Sequence, residues 1–539
     1  MIEHTISDQI RISAEAFNDS TALIFPEENL RISYKELKTR AEVAAKALLG
    51  CGMRKGSHIG IWSVNCSRWV DLVLGAAMIG VVTIPLNINY KTNELAEICE
   101  KMDVECLFVM NSMKGSPCTS VSEGLLNGEK PDHRLCPRLE QIISMASSDC
   151  GKHPNYNSFL DTAEKVHDED LIAAQGLVVP GDTYIIQLTS GTTALPKGVM
   201  LSHYGALNTA RDYAVDMMHF GRDDISCVPL PLFHCYGNIL TLLGGLITGS
   251  CVLYPPLFSP TAVLNSLVEE KCTSFAGVPT MYAMLMNTEG FSREDLHLRT
   301  SSIGGSYVAA ELVDQITEEF NVPGLVVGYG LSEAASLVTL SPVDELRDKR
   351  LYSVGSPLPG LEVTLFEPKT GVYSSSLQEG EVVIRGFCVM QGYYNDPEAT
   401  AKAIDAEGWL HTGDLGSFNP NGTMRIVGRI KDIIIRGGEN ISPSEIEAKI
   451  IELAQVSDCQ CVGVPDKVLG EEIAAFIITK DRSPIEESLV KAHVRTQLAR
   501  HKIPKYVFTT DSFPLNGAGK VMKSELRKMA ESMIQTGKK

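Results

Sequence analysis

The sequence predicts a mixed fold, with α/β units over most of the chain and a compact α+β unit at its end. Helical and strand patterns alternate over residues 1–110 and again from 182 to about 340, which is typical of helices packed on a mostly parallel sheet. Residues 352–427 instead contain short strands separated by turns, which indicates a β-rich unit. The length of 539 residues suits about three folding units, because single cores rarely serve more than roughly 300 residues.

Two early segments carry clear signals for a helix and a strand. Residues 34–50 are predicted to be helical, because Ser33 stands at the N-cap position and Glu36 completes a capping box. Residues 58–62 are predicted to form a strand. The stretch 111–170 is polar and rich in Ser, Lys, Asp and Gly, so we expect a long irregular excursion there.

A compact α+β unit is predicted after Gly428-Arg429. Its helix and strand patterns lie at 443 onward, 459–464, about 473–479, 486–499 and 522–534. We therefore expect an N-terminal domain over residues 1–428 and a C-terminal domain over 429–539, which is a size that folds alone.

The composition argues against several classes of partner and location. The net charge of −18, from 48 Lys+Arg and 66 Asp+Glu, disfavours nucleic acid or an anionic membrane as a general partner. The 14 cysteines form no Cys-x-x-Cys pair, so we expect free thiols and a cytoplasmic protein. No signal peptide is expected, and the apolar stretches at 72–86 and 239–258 suit buried elements better than a transmembrane segment.

The most informative segment is residues 189–198, Thr-Ser-Gly-Thr-Thr-Ala-Leu-Pro-Lys-Gly, which follows a predicted strand at 182–188. Backbone N–H groups, hydroxyls and an ammonium suit a polyphosphate, which is anionic and rich in acceptors. Lys197 lies between Pro196 and Gly198, so the segment is not the phosphate loop of P-loop ATPases. Taken alone, a surface turn of small residues is an equally good interpretation.

With this segment the chain resembles the adenylate-forming superfamily, which holds acyl-CoA synthetases, firefly luciferase and the adenylation domains of peptide synthetases. The resemblance covers nearly the whole chain and implies activation of a carboxylate by ATP. It also implies a large N-terminal domain of two βα sheet subdomains and a β-rich one, a hinge, and a small mobile C-terminal domain. Ala194 departs from the family, most of whose members have Gly there. The loop residues that the resemblance assigns to ATP are Thr189, Ser190, Gly191, Thr192, Thr193 and Lys197.

A second motif, Tyr329-Gly330-Leu331-Ser332-Glu333, follows an apolar strand at 325–327. Alone, such a motif is more often a strand end with an incidental acid. The resemblance implies that Tyr329 stacks on adenine, that Ser332 binds the α-phosphate, and that Glu333 holds Mg²⁺ together with Thr192. Carboxylate and phosphate oxygens are the ligands that this hard cation prefers.

Glycines follow two of the predicted strands, those at 300–303 and 325–327. Gly304-Gly305-Ser306 follows a predicted strand at 300–303, and glycine lets flat groups approach the backbone closely. The alternative is a plain turn. The resemblance places Gly305, Ser306, Gly328 and Gly330 at the nucleotide.

A third motif runs from Trp409 to Gly416 and contains Thr-Gly-Asp, which alone is usually a turn. The resemblance implies that Asp414 accepts hydrogen bonds from both ribose hydroxyls, a familiar use of a carboxylate. It also places Ile426 at the nucleotide and Arg429 at the ribose or phosphate. Lys431 takes the hinge position, which must absorb a large backbone rotation.

Two motifs of the C-terminal unit complete the match, and each could alone be a surface turn. The resemblance implies that the turn formed by Gly437, Gly438, Glu439 and Asn440 contacts the pantetheine arm of coenzyme A. Lys520, in Gly-Lys near the C-terminus, would bridge the substrate carboxylate and the α-phosphate. Asn516 stands where the family usually has Thr.

The segment 229–237, Pro-Leu-Pro-Leu-Phe-His-Cys-Tyr-Gly, resembles the acyl-pocket motif of the family. The resemblance implies that His234 lines the pocket rather than serving a structural role, and we assign it no role as a base. The residues assigned to the acyl pocket are His234, Tyr236, Gly237, Val278, Gly304, Gly305 and Gly328. They are mostly small or apolar, which favours a roomy apolar pocket. The overall pattern, with Ile-Ile-Arg-Gly-Gly-Glu-Asn at 434–440, most resembles bacterial medium- to long-chain fatty acyl-CoA synthetases, although an aromatic or alicyclic acid fits the same wall.

The resemblance implies an acyl-CoA ligase that uses ATP, Mg²⁺ and coenzyme A, with Lys520, Glu333 and Thr192 as catalytic residues. The main alternative is a freestanding adenylation enzyme that loads a carrier protein. A third hypothesis is a non-catalytic adenylate-binding protein, against which the presence of Lys520, Glu333, Asp414 and Arg429 argues. The oligomeric state stays open, a homodimer included.

Overall fold

The computed structural model describes residues 1–110, 112–113, 116–117, 136, 138–147, 153–189, 196–290, 292–306, 308, 310–437, 439–515 and 521–536. The mixed α/β and α+β fold class predicted from the sequence is confirmed. Two seven-stranded sheets and a five-stranded antiparallel sheet form the chain up to about residue 429, and a further five-stranded sheet forms the rest.

The first sheet is parallel except at one edge. Its strands in spatial order are β15 (Gly324–Val327), β14 (Thr300–Ile303), β13 (Ser274–Gly277), β11 (Ile225–Cys227), β12 (Cys251–Leu253), β1 (Thr21–Phe25) and β2 (Leu30–Ser33). Within this set, β2 alone is antiparallel to its neighbour. The parallel pairing of β13, β14 and β15 brings their carboxyl ends side by side at one edge of the sheet.

The second sheet is parallel in its centre and antiparallel at one edge. Its strands in spatial order are β21 (Gly392–Tyr393), β10 (Lys197–Ser202), β9 (Thr183–Thr189), β4 (Val82–Pro85), β3 (His58–Trp62), β5 (Cys106–Val109) and β8 (Gln141–Ser144). Strand β10 is antiparallel to both β9 and β21. Thr189 pairs with Lys197, so the antiparallel pairing of β9 and β10 holds the two ends of the segment 189–197 together.

The third sheet is antiparallel and accounts for the β-rich pattern near residues 352–427. Its strands in spatial order are β19 (Val372–Tyr373), β18 (Glu362–Glu367), β20 (Gly380–Arg385), β22 (Leu410–Phe418) and β23 (Met424–Arg429). Two short pairs lie outside the sheets, β6 (Ser112–Met113) with β7 (Ser116–Pro117) and β16 (Thr339–Leu340) with β17 (Ser356–Pro357).

The last sheet builds the C-terminal unit. Its strands are β25 (Glu439–Ile441), β24 (Ile434–Arg436), β27 (Gly470–Thr479), β26 (Val456–Asp466) and β28 (Tyr506–Thr509), the last of which pairs in parallel with β27. Buried isoleucines and valines of this sheet and its helices form a core of their own, separate from the N-terminal cores. This independence is what a unit that can turn as a body requires.

Helices cover the sheets. The α-helices are α1 (Ile6–Phe17), α2 (Tyr34–Gly50), α3 (Ser67–Met78), α4 (Thr92–Lys101), α5 (Tyr156–Asp161), α6 (Asp168–Gln175), α7 (His203–Arg211), α8 (Gly244–Thr248), α9 (Pro260–Glu269), α10 (Pro279–Met286), α11 (Ala310–Glu319), α12 (Arg347–Leu351), α13 (Pro397–Ala403), α14 (Pro443–Ile451), α15 (Glu487–Gln497) and α16 (Lys523–Thr536). Two segments are π-helical, Asp212–Met217 and Tyr236–Leu243. Single turns of 3₁₀ helix are Pro26–Glu28, Thr162–Lys165, Arg293–Asp295, Ser332–Ala334, Ile430–Asp432 and Arg500–Lys502.

The two early elements have the bounds that their local signals predict. Helix α2 begins after Ser33, whose hydroxyl accepts the N–H of Glu36 at 3.2 Å while the Glu36 carboxylate accepts the N–H of Ser33 at 3.1 Å. Strand β3 covers residues 58–62. Both predictions are confirmed, because each rests on an interaction between neighbours in sequence.

The expectation of irregular structure over 111–170 is wrong for its second half. Strand β8 joins the second sheet beside β5, and helices α5 and α6 follow. Ile142 and Ile143 are buried, but a two-residue apolar core inside a polar stretch gives little periodic signal. Partner strand β5, which is distant in sequence, stabilises this strand.

The expected free thiols and the expected lack of a transmembrane helix can be compared with the structure. Every cysteine that the structure describes carries a free thiol. Among the helices in the described part of the chain, none combines the length and the apolar character that crossing a bilayer requires.

Helices α2 and α3 pack unusually closely at Gly75. A Cβ at this position would lie 2.8 Å from the Ala44 Cβ, 2.8 Å from the Ala45 nitrogen and 2.9 Å from the Ala41 carbonyl oxygen. The backbone of α2 occupies that space, so small residues on both helices set the distance between them. This contact lies in the main core, which joins α1, α2 and α3 to both large sheets.

We expect Gly75→Ala to destabilise the protein by about 1–3 kcal/mol, because overpacking forces the α2 backbone to move. Helix propensity alone predicts the opposite effect, because alanine is a better helix former than glycine. Gly176→Ala is the control, since a Cβ there meets backbone atoms at 3.5 Å, an ordinary contact. Urea denaturation followed by circular dichroism measures the effect. Equal midpoints for the two variants would contradict the close-packing interpretation.

Candidate active site

Loops at the carboxyl ends of parallel strands bring the predicted site residues to one edge of the first sheet. Val278 follows β13, Gly304 follows β14, and Gly328 follows β15. Crevices at the carboxyl ends of strands are the usual ligand sites of open α/β sheets. The β9–β10 hairpin of the second sheet reaches the same region through contacts of Lys197.

Tyr393 contacts two of the predicted site residues at once. Its hydroxyl donates to Oε1 of Glu333 at 2.9 Å, and Nζ of Lys197 lies 4.4 Å from its ring centroid. Tyr393 is on β21, which pairs with β10, and Met390 nearby donates its N–H to the Glu333 carbonyl at 2.8 Å. Lys197 and Glu333 therefore contact the same tyrosine, Lys197 at its ring and Glu333 at its hydroxyl.

Burial, together with the neighbouring Glu333 carboxylate, raises the pKa of Tyr393 well above that of an exposed tyrosine. Its hydroxyl is therefore a hydrogen-bond donor at neutral pH. Tyr393 could not be predicted from the sequence, because Gly392-Tyr393-Tyr394 lies in none of the motifs described above. A signal exists only in three dimensions, in the pairing of β21 with the strand that carries Lys197.

Tyr329, Asp414 and Arg429 form a second cluster. The Tyr329 hydroxyl donates to Oδ2 of Asp414 at 2.7 Å, and Nε of Arg429 lies 3.2 Å from Oδ1. Asp414 and Arg429 are cross-strand partners on β22 and β23. Burial and the Asp414 charge raise the pKa of Tyr329 well above its ordinary value. Both carboxylate oxygens of Asp414 are thus fixed in direction.

The Tyr329–Glu333 loop has a tightly restrained shape. A Cβ at Gly330 would lie 1.9 Å from the Ser336 carbonyl oxygen, so no larger residue fits. Ala335 and Ser336 have φ of 47° and 87°, a region that favours glycine and costs energy for other residues. Such strained backbone is common at functional sites, and here it begins two residues after Glu333.

The residues predicted to form the acyl pocket also come together. A Cβ at Gly304 would lie 3.0 Å from the Gly328 carbonyl oxygen, and one at Gly305, whose φ is 82°, would lie 3.4 Å from the Val278 side chain. The Tyr236 hydroxyl donates to the Ser302 carbonyl at 3.2 Å, beside this group.

The segment that precedes Tyr236 lies against the Tyr329–Glu333 loop. Cys235, which follows His234, has its Sγ 3.7 Å from the Ser332 hydroxyl. Gly237 packs so closely that a Cβ would lie 2.7 Å from the Pro231 carbonyl oxygen. The predicted acyl-pocket segment is therefore continuous with the predicted nucleotide loop.

Other predicted nucleotide residues lie around these clusters. Thr189 ends β9 opposite Lys197, Ser306 is exposed after β14, and Ile426 lies on β23 before Arg429. Six of the residues to which roles were assigned lie outside the described residues, namely Ser190, Gly191, Thr192, Thr193, Gly438 and Lys520, as do the departures Ala194 and Asn516.

The predicted coenzyme A turn lies in the hairpin of β24 and β25. Gly437 has φ of 61° and donates its N–H to the Leu469 carbonyl at 2.7 Å, and Glu439 is exposed. Arg436 donates to the His501 carbonyl and forms an ion pair with Glu472, which fixes the base of the turn. Asn440 lies on β25. All these contacts are within the C-terminal unit.

Lys431 lies in an exposed 3₁₀ turn between β23 and β24. Next to it, the hydroxyls of Ser442 and Ser444 both donate to the Val427 carbonyl, each at 2.6 Å. These bonds join the start of α14 to the last strand of the third sheet. The connection between the two parts of the chain thus runs through one exposed turn and a few polar contacts.

Comparison with known proteins identifies the family of this chain. Residues 10–394 match the family of AMP-binding enzymes, and residues 445–520 match the C-terminal domain of AMP-binding enzymes. The chain is 35% identical over 541 residues to the putative acyl-CoA synthetase YngI of Bacillus subtilis, which covers 99% of this chain and 98% of that protein.

Two further proteins also match nearly the whole of this chain. The chain is 31% identical over 548 residues to the mitochondrial medium-chain acyl-CoA ligase ACSF2 of Rattus norvegicus, covering 99% of this chain and 89% of that one. The crystal structure of ATP-bound MatB from Rhodopseudomonas palustris matches with a TM-score of 0.84 at 25% identity, covering 98% of this chain and 99% of that one. The chain therefore belongs to the AMP-binding enzyme family, and it is an adenylate-forming enzyme related to acyl-CoA synthetases.

Proposed function

We propose that this enzyme is an ATP-dependent acyl-CoA ligase that activates a carboxylic acid as acyl-AMP and then transfers the acyl group to coenzyme A. The main support is that motifs from three distant parts of the sequence meet at one edge of the first sheet. The Lys197–Tyr393–Glu333 contact and the Tyr329–Asp414–Arg429 cluster both belong to this edge. Relatives that match nearly the whole chain are named acyl-CoA synthetase or ligase.

The first half-reaction joins two anions. A carboxylate oxygen attacks the α-phosphorus of ATP, the bond from that phosphorus to the pyrophosphate oxygen breaks, and a mixed anhydride forms. This chemistry needs positioning and charge neutralisation more than a covalent intermediate on the protein. We assign neutralisation at the phosphates to Lys197 and the loop 189–193, and neutralisation between carboxylate and α-phosphate to Lys520.

Glu333 is suited to hold a magnesium ion. Its Oε1 accepts the Tyr393 hydroxyl, and among the described residues no donor contacts its other carboxylate oxygen. Mg²⁺ usually binds through one or two carboxylates together with substrate phosphates. We propose Glu333 and Thr192 as its protein ligands; when bound, the ion neutralises triphosphate charge so that the substrate carboxylate can approach.

Asp414 is our proposed anchor for the ribose. Tyr329 and Arg429 fix both carboxylate oxygens, and a fixed carboxylate can accept bonds from two adjacent hydroxyls. The ring of Tyr329 then lies next to the sugar, where it can stack on adenine. This arrangement orients the α-phosphate toward the acyl pocket.

The second half-reaction uses a different part of the C-terminal unit. The thiol of coenzyme A attacks the acyl carbonyl, the bond to the AMP oxygen breaks, and the thioester forms. We propose that the C-terminal unit turns about Lys431 between the steps, which withdraws Lys520 and brings the turn 437–440 to the site. The exposed 3₁₀ turn at Lys431 and the separate C-terminal core are consistent with such a movement.

The acid is proposed to be a medium- to long-chain fatty acid. The wall at Gly304, Gly305, Gly328 and Val278 offers backbone and apolar atoms, and one relative is named for medium-chain acids. Loading of a carrier protein is the alternative acceptor reaction.

Release of pyrophosphate with a panel of carboxylic acids tests the proposed function. Thioester formation with coenzyme A in the absence of any protein partner distinguishes coenzyme A from a carrier protein as the acceptor. A panel without any active acid would contradict the proposal.

We expect Asp414→Asn to lower the affinity for ATP and AMP by about 10- to 100-fold, because a charged hydrogen bond contributes roughly 1.5–3 kcal/mol. Asp405→Asn is the matched control, since Asp405 also accepts a tyrosine hydroxyl, that of Tyr373 at 2.6 Å, but lies outside the proposed site. Calorimetric titration with AMP measures both. Equal affinities for the two variants would remove Asp414 from the ribose site.

We expect Lys520→Ala to slow acyl-AMP formation by about 100- to 1000-fold, which is typical for loss of one group that stabilises transition-state charge. Thioester formation from supplied acyl-AMP should change little. Lys528→Ala, an exposed lysine on α16, is the control and should behave as the wild type. The two half-reactions are measured separately by rapid quench. An equal loss of rate in both half-reactions would contradict the proposal that Lys520 acts only in acyl-AMP formation.

We expect Lys431→Pro to spare adenylation and to slow thioester formation by about tenfold or more. Proline fixes its own φ and restricts the preceding residue, so the turn loses two backbone rotations. Lys431→Ala removes the same side chain but keeps these rotations, and both half-reactions should remain. Unchanged ligation to coenzyme A in the proline variant would exclude Lys431 as the hinge.

A further inference from the structure

Two buried tyrosines converge on one serine beside the proposed acyl pocket. The hydroxyls of Tyr213 and Ser302 are 2.9 Å apart, and those of Tyr236 and Ser302 are 2.5 Å apart. The Tyr236 hydroxyl also lies 3.2 Å from the Ser302 carbonyl oxygen. We call Tyr213, Tyr236 and Ser302 the tyrosine–serine lock.

The two tyrosines come from the only π-helical segments among the described residues. Tyr213 is the second residue of Asp212–Met217, and Tyr236 is the first residue of Tyr236–Leu243. Their rings make an edge-on contact with centroids 6.3 Å apart at 86°. A π-helical turn is energetically poorer than an α-helical one and frequently marks a functional site. Here two such turns place hydroxyls on the same serine.

The lock lies at the inner end of the proposed acyl pocket. Ser302, on β14, precedes Gly304 by two residues and so lies further from the carboxyl edge of the sheet, and Tyr236 precedes Gly237 in the proposed pocket segment. An acyl group that passes Gly304 along β14 therefore meets the Tyr236 and Tyr213 rings. Ser302 is 3% exposed and Tyr213 is 2% exposed, so the lock closes against the core.

Opening the lock is energetically costly. Burial raises the pKa of Tyr213 to about 12 and that of Tyr236 well above its ordinary value, so both hydroxyls stay protonated and bonded at neutral pH. An acyl chain that displaced either ring would leave buried hydroxyls without partners, since an alkyl group offers none. Each unpaired buried group costs about 1–3 kcal/mol.

We infer that the tyrosine–serine lock limits the depth of the acyl pocket, so that the enzyme prefers acids of medium length to long-chain acids. This inference rests on the proposed acyl-CoA ligase function and specifies its substrate class. The three hydroxyls are already paired with one another, so the lock suits an apolar chain end rather than a polar one.

Strand β14 also supplies a matched control on its other face. Successive side chains of a strand point to opposite faces, so Ser301 faces away from the lock. The Tyr282 hydroxyl lies 2.7 Å from the Ser301 hydroxyl and donates to the Ser302 carbonyl at 3.0 Å. Tyr282→Phe therefore removes a buried tyrosine–serine bond of the same kind. It leaves the hydroxyls of Tyr213, Tyr236 and Ser302 in place, and the Ser302 carbonyl keeps the Tyr236 hydroxyl as a donor.

The test compares kcat/KM for hexanoate, decanoate and palmitate. The wild type should favour hexanoate and decanoate. We expect Tyr213→Phe to raise the palmitate-to-decanoate ratio about fivefold or more, from the loss of one buried bond, and Tyr213→Ala to raise it further. Tyr282→Phe should leave the ratio unchanged. Affinities for decanoyl- and palmitoyl-sulfamoyl adenosine give the same comparison without turnover and should shift in the same direction.

Several outcomes would overturn the inference alone. These are a wild type that prefers palmitate, an unchanged ratio in both Tyr213 variants, or an equal shift in Tyr282→Phe. The Tyr213→Phe variant keeps the ring, so the test stands even where Tyr213→Ala does not fold. Absence of any acyl-CoA product from the wild type with all three acids would instead overturn the proposed function, and the inference with it.

Discussion

The contact of Tyr393 with Lys197 and Glu333 is the interaction on which the site depends. It joins a hairpin of the second sheet to a loop that leaves the first sheet, so a cation and a carboxylate from different sheets lie at the same tyrosine. The underlying constraint is electrostatic: a carboxylate can approach a triphosphate only where fixed charges and dipoles cancel their repulsion. A net charge of −18 makes this local arrangement necessary, because the protein as a whole repels anions.

Rigid and movable parts are separated along the chain. The nucleotide side is restrained by close backbone contacts, such as that of Gly330 with Ser336, and by the fixed carboxylate of Asp414. The C-terminal unit has its own core and follows an exposed turn, and in the described part of the chain two serine hydroxyls join it to the Val427 carbonyl. In the proposed mechanism the rigid part holds acyl-AMP, while the movable part exchanges Lys520 for the turn at 437–440.

Sequence alone predicted what depends on neighbours in the chain. The capping box of Ser33 and Glu36 gave α2, and the motifs gave the residues now found at the edge of the first sheet. It could not predict Tyr393 or the tyrosine–serine lock, since these contacts join residues far apart in sequence and neither Tyr393 nor Tyr213 lies in a motif. Strand β8 was missed for the same reason, because only pairing with β5 stabilises it. The roles of the site residues remain predictions from the resemblance.

The most direct test of the central claim is exchange of labelled pyrophosphate into ATP in the absence of coenzyme A. If the crevice lets a carboxylate attack the α-phosphorus, exchange should occur, should require both magnesium and a fatty acid, and should not require coenzyme A. No exchange with any acid, or exchange that appears only when coenzyme A is added, would contradict the account.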